Sequence, residues 1–243
     1  MGAAVGWGAL AASSLVLGAL LGLARKWPGR LVGLVLAFGA GALISAVAFE
    51  LAEVGLQLGG ASPVTIGLTA GALTYYFLDV TIDRKASRRP RRNGAGGDSD
   101  GGVALALGAF LDGIPEQLVL GIGLASGDGV GLGLLMAIFV SNLPEAVGSA
   151  TDMRAAGQPP SLIVRLWVGV AVVCTLSTIA GFAIADAASE SLRAGVDGFA
   201  AGALLVMLID SMIPEASRKA GRTAGLVTTL GFAVSAGLSL VAN

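Results

Sequence analysis

Residues 31–54 read Leu-Val-Gly-Leu-Val-Leu-Ala-Phe-Gly-Ala-Gly-Ala-Leu-Ile-Ser-Ala-Val-Ala-Phe-Glu-Leu-Ala-Glu-Val, without a single Lys or Arg. Their two carboxylates, Glu50 and Glu53, fall near the end of the run. A hydrocarbon core about 30 Å thick is crossed by roughly 20 helical residues, so this stretch is long enough to span a bilayer. Reading outward in both directions finds seven more runs of the same kind. The eight predicted spans cover about 4–24, 31–54, 63–82, 102–124, 129–151, 162–185, 196–216 and 223–242. No period-2 alternation is sustained anywhere, so strands are not expected. The reading is an all-α polytopic membrane protein, one transmembrane domain over 1–243, with the long polar segment 83–101 as a loop.

Composition agrees. Of 243 residues 55% are hydrophobic and 13% charged, half the soluble norm of about 25%. Mean hydropathy is +0.83. Glycine, 38 residues, is about twice its usual share of roughly 7%, which suits close helix packing in lipid. The chain has no histidine and one cysteine, Cys174. That excludes Ser-His-Asp catalysis, imidazole metal sites, multi-cysteine metal sites and an internal disulfide. With no embedded Lys base either, the chain is not expected to be an enzyme.

Charge sets the expected orientation. All of the 15 basic residues except Arg193 fall on or beside loops one, three, five and seven, which share a face if there are eight spans. The positive-inside rule makes that face cytoplasmic. The expectation is a multi-pass plasma (cytoplasmic) membrane protein with both termini outside. No basic residue precedes the first span, which argues against a cleaved secretory signal. The run Arg88-Arg-Pro-Arg-Arg92 serves this topology, and nucleic acid is not an expected partner.

Several acids nevertheless lie within the spans: Glu50, Asp112, Glu116, Glu145 and Asp210, with Glu53, Asp79 and Glu215 nearer the ends. Intramembrane charge is costly and marks ion or proton paths. Without a basic neighbour at depth, such groups carry protons or hold a cation between them. Their settings repeat. Span four has Asp112-Gly-Ile-Pro-Glu116, span five Ser141-Asn142-Leu-Pro-Glu145, and span seven Asp210-Ser-Met-Ile-Pro214-Glu215. In the first two, the polar residue and the Glu are i, i+4 on one helix face. Each proline also releases a carbonyl one turn earlier, and in lipid that carbonyl needs a new partner. On a larger scale Phe38-Gly-Ala-Gly-Ala-Leu-Ile44 in span two echoes Phe199-Ala-Ala-Gly-Ala-Leu-Leu205 in span seven, a pattern expected of inverted repeats.

At these motifs the chain resembles the ZIP family of divalent-metal transporters. The resemblance implies eight spans, both termini outside, a variable charged loop between spans three and four, and a two-metal site lined by Pro-Glu motifs on spans four and five. Carried over by position, Asp112 stands where the family has His, Gly113 where it has Asn, and Glu116 at its Glu. Ser141 and Asn142 replace paired polar ligands, and Glu145 keeps the Glu. Glu50 replaces a usual His on span two, Cys174-Thr-Leu-Ser177 stands where many members have a Glu, and Asp210 lies near the family's Ile-Pro-Glu stretch. The implied metal ligands are Asp112, Glu116, Ser141, Asn142 and Glu145, with Glu50 and Asp210 along the path. An oxygen-rich set suits Mn²⁺, Fe²⁺ or Mg²⁺, while Zn²⁺ also binds carboxylates.

The implied function is transport of a divalent cation, zinc, iron or manganese, by alternating access around a midplane site. The metal is cargo and no resident cofactor is expected. The partners are that cation and the lipid bilayer, and the resemblance allows a homodimer. A proton-coupled carrier of a small solute and a non-transporting homologue stand as alternatives. An intramembrane aspartyl protease is disfavoured, because no Gly-x-Gly-Asp motif is present and the repeated Pro-Glu pairs would go unexplained.

Overall fold

Hydrocarbon offers no water to unpaired backbone groups, so a chain this apolar pairs them within helices. The computed structural model describes residues 1–88, 113–125 and 132–242, and its elements are all helical. They are α1 (Gly2–Ala24), α2 (Gly29–Gly59), α3 (Ala61–Arg88), α4 (Gly113–Ala125), α5 (Leu132–Ala155), α6 (Pro160–Ala187), α7 (Glu190–Ala220) and α8 (Thr223–Ala242). Among the described residues, α1, α2, α5, α6 and α7 are long and apolar enough to cross a membrane, and α4 and α8 contain shorter apolar helices. The start of predicted span four, with Asp112, lies outside the described residues, as does most of the loop 83–101.

Helix α7 begins earlier than its hydropathy indicated, at Glu190 rather than near 196. The cause is a polar first turn: Ser189 caps the helix, its hydroxyl oxygen accepting from the Leu192 N–H at 3.4 Å. Window hydropathy discounts such a turn, although it carries Arg193, one turn before the buried Asp197.

The echo between spans two and seven is structural. Both helices switch to π geometry at equivalent points, Val47–Ala52 in α2 and Leu208–Met212 in α7. Both end on a glycine in a conformation open almost only to glycine, Gly60 (φ 80, ψ −177) and Gly221 (φ 64, ψ −149). The same offset along the chain separates Phe38 from Phe199, Val47 from Leu208 and Gly60 from Gly221. Their packing matches too. A Cβ at Gly41 of α2 would strike the Thr228 carbonyl of α8, and one at Gly202 of α7 would strike the Leu68 carbonyl of α3. In return Gly231 of α8 abuts the Phe38 carbonyl and Gly71 of α3 the Phe199 carbonyl. Thus α2–α8 and α7–α3 are equivalent tight pairs, drawn together where side chains are absent.

The two helices between the repeats are clasped in a corresponding way. Gly18 and Gly22 of α1 press on the Leu143 and Val147 carbonyls of α5, and Gly181 of α6 presses on the Leu118 carbonyl of α4. Gly39 of α2 meets α5 at Ser141, where an added Cβ would lie 2.8 Å from the Ser141 Cα. These contacts hold the Pro-Glu segments of α4 and α5 inside the bundle.

Candidate metal centre

Glu116 sits on the first turns of described α4 and is 1% exposed. Its Oε1 lies 3.2 Å from the Ser141 hydroxyl of α5, which is fully buried. Ser141 also lies 3.0 Å from the Ile138 carbonyl, so one hydroxyl proton is shared between an acid and a backbone oxygen. Asn142 is 1% exposed and its Nδ2 finds no hydrogen-bond partner among the described residues. Glu145, one turn beyond Ser141 and directly after Pro144, is half-buried. The structure therefore brings Glu116 and Ser141 together, with Asn142 and Glu145 on the same α5 segment.

Cys174 of α6 belongs to this neighbourhood, and the sequence reading left it out of the site. It is fully buried, lies within electrostatic reach of Glu116 and Glu145, and its Sγ would lie 2.7 Å from a Cβ at Gly113. Gly113, which offers no ligand, thereby leaves room for a sulfur. The signal available in the sequence was the position of the single cysteine on span six. Next to it, Gln117 ties α4 to α6 by accepting from the Thr178 hydroxyl at 2.6 Å.

The other named acids lie elsewhere. Glu50, in the α2 π turn, accepts from Ser239 of α8 at 2.7 Å and from the Leu134 backbone N–H of α5. It lines a cleft of about 440 Å³, counting its open mouth, between α2, α4, α5 and α7. Asp210 is exposed in the α7 π turn and does not line that cleft. Glu215 pairs with Lys219 at 2.6 Å, and Glu53 accepts from Gln57 at 3.4 Å. Asp112 lies outside the described residues. Among the described residues no three Asp, Glu or Cys side chains converge closely enough to hold one metal ion.

Apolar helices packed through glycine, with buried acids on proline-bearing segments, define an integral multi-pass membrane protein. Residues 66–239 match the family described as ZIP Zinc transporter. The chain belongs to the ZIP zinc transporter family, a family of divalent-metal transporters. It is also similar to an Arabidopsis thaliana protein described as a "Putative zinc transporter", 28% identical over 198 residues. That match covers 80% of this chain but only 31% of the plant protein, so the chain spans about a third of its relative's length.

Proposed function

We propose that this chain carries a divalent cation through a site formed by the Pro-Glu segments of α4 and α5, exposing it alternately to either face. The observation that supports this most strongly is the buried Glu116–Ser141 contact, which joins the two motif-bearing helices side chain to side chain. A carboxylate held away from water gains most from a cation that replaces its hydration. In this reading Glu116 and Glu145 bridge the metal, and Asp112, Ser141 and Asn142 supply further oxygens. The gap between Glu116 and Glu145 closes when the ion draws them together, and opens again on release.

The repeat supplies the moving parts. The α2–α8 and α7–α3 pairs pack tightly through glycine, whereas α4 and α5 carry prolines that weaken their ladders. Rocking of one group of helices against the other leaves the site near the middle of the bundle. Cys174 adds a soft ligand within reach of an otherwise oxygen-rich set, which favours Zn²⁺ or Cd²⁺ over Mg²⁺.

The test is uptake of ⁶⁵Zn²⁺ and ⁵⁴Mn²⁺ into liposomes containing the purified chain. The Glu116→Gln/Glu145→Gln variant is expected to lose uptake while keeping its helical content and its elution as a homogeneous species. Undiminished uptake by that variant would refute the site. Flux of a small solute driven by a proton gradient, with no metal dependence, would replace the reading by a proton-coupled carrier.

A further inference from the structure

Beyond the Glu116 centre, one charged cluster faces an open space. The cleft between α2, α4, α5 and α7 is lined by Glu50, Asp197 and Arg193, and otherwise by apolar side chains and Gly123. Asp197 is 3% exposed, yet it makes no hydrogen bond among the described residues. Arg193, one turn earlier on α7, is the positive charge that acts on it. The Nε of Arg193 is itself buried without a hydrogen-bond partner among the described residues. A structural ion pair in an apolar setting would have both partners saturated, because unmade hydrogen bonds of charged groups cost most. Here an acid buried against the cleft and a guanidinium with an idle donor face each other loosely. Glu50 stands across from them, fixed by Ser239 and the Leu134 N–H.

We propose that Glu50 and Asp197 form a separate divalent-cation station in this cleft, and that Arg193 is the counter-charge an arriving cation displaces. This rests on the transport reading above but concerns different residues. The cleft sets two carboxyl groups against one guanidinium, and an arriving M²⁺ holds both carboxyls in their anionic form. With the ion in place, Arg193 turns away from Asp197 towards the cleft mouth, where its Nε is solvated. Carboxylate oxygens and retained water complete the ion's shell, which hard and borderline divalent ions accept. The cleft is walled by Val119 and Leu120 of α4, one turn beyond Glu116, so an ion held there lies on the approach to the buried centre. Arg193 further makes the station selective against monovalent ions, which gain less from displacing it.

The signature of this arrangement is a pair of opposite effects. Removing Asp197 weakens capture, and removing Arg193 strengthens it. In proteoliposomes, Asp197→Asn is expected to raise the KM for ⁵⁴Mn²⁺ about tenfold and Arg193→Gln to lower it several-fold, the low end of what a charged cleft does to local ion concentration. In both, the maximal rate is expected to change less than KM. A second measurement stands apart from transport. In the Glu116→Gln/Glu145→Gln background, Mn²⁺ electron paramagnetic resonance is expected to detect one weakly bound ion, lost on adding Asp197→Asn and tightened by Arg193→Gln. Changes of KM in the same direction for both variants, or Mn²⁺ binding indifferent to both, overturn the station. Loss of all uptake from the parent chain, with Mn²⁺ binding still controlled by Asp197 and Arg193, overturns the transport reading and leaves the station standing.

Discussion

Ser141 shows how much one hydroxyl can decide. Its proton is divided between Glu116 and the Ile138 carbonyl, and its Oγ keeps lone pairs for a cation. A hydrogen bond to a charged group is worth about 1.5–3 kcal/mol. Ser141→Ala is therefore expected to weaken Zn²⁺ or Mn²⁺ binding roughly tenfold, read by calorimetry on the detergent-purified chain. Equal affinity in the variant would place Ser141 outside the ligand set. Cys174 makes a sharper distinction. Changing it to Ser keeps size and burial but removes the soft donor, so the ratio of Cd²⁺ to Mn²⁺ affinity is expected to fall while Mn²⁺ affinity alone changes little. Competition between the two ions measures that ratio directly.

Two helices carry the repeat, and both stop at a glycine whose backbone few other residues adopt. Replacing Gly60 or Gly221 by Ala forces a side chain into that conformation, at about 1–3 kcal/mol each. Thermal unfolding in detergent is expected to register similar losses at the two sites, because they occupy equivalent places; a loss at one alone would contradict their equivalence. Much of this was legible beforehand. The Phe38 and Phe199 segments resemble each other over seven residues, and the Pro-Glu motifs of spans four and five share their internal spacing, because helix packing through small residues is written locally. What was not legible is equally physical. The Ser239 partner of Glu50 stands 189 residues away, and no periodicity reports a contact at that separation. Asp197 escaped notice because it stands at the very start of predicted span seven, where an acid reads as part of the membrane edge. Glu215 was counted among the acids lacking a counter-charge, but one helical turn puts Lys219 beside it.

At the scale of the whole molecule, the charge distribution and the cleft can be tested together. The basic residues cluster on the connections after α1, α3, α5 and α7, which the positive-inside rule assigns to the cytoplasm. Arg193 is the exception, and it lies on the first turns of α7 at the opposite end, beside the cleft. Its position carries no topological benefit, which is what a residue retained for the cleft rather than for orientation would show. Ser62 at the start of α3 and Ser161 at the start of α6 are both exposed, and the fully buried Cys174 leaves the background unreactive. In intact cells, Ser62→Cys is expected to react with a membrane-impermeant maleimide, and Ser161→Cys only after permeabilisation. The reverse pattern would turn the molecule over and place the Asp197 cleft on the cytoplasmic side, making it an exit rather than a mouth. Labelling of both cysteines from one side would mean that an odd number of the three intervening segments does not cross. The alternation of basic loops would then have arisen without a bilayer to enforce it, and the equivalence of α2 with α7 would no longer place them in opposite senses across the membrane.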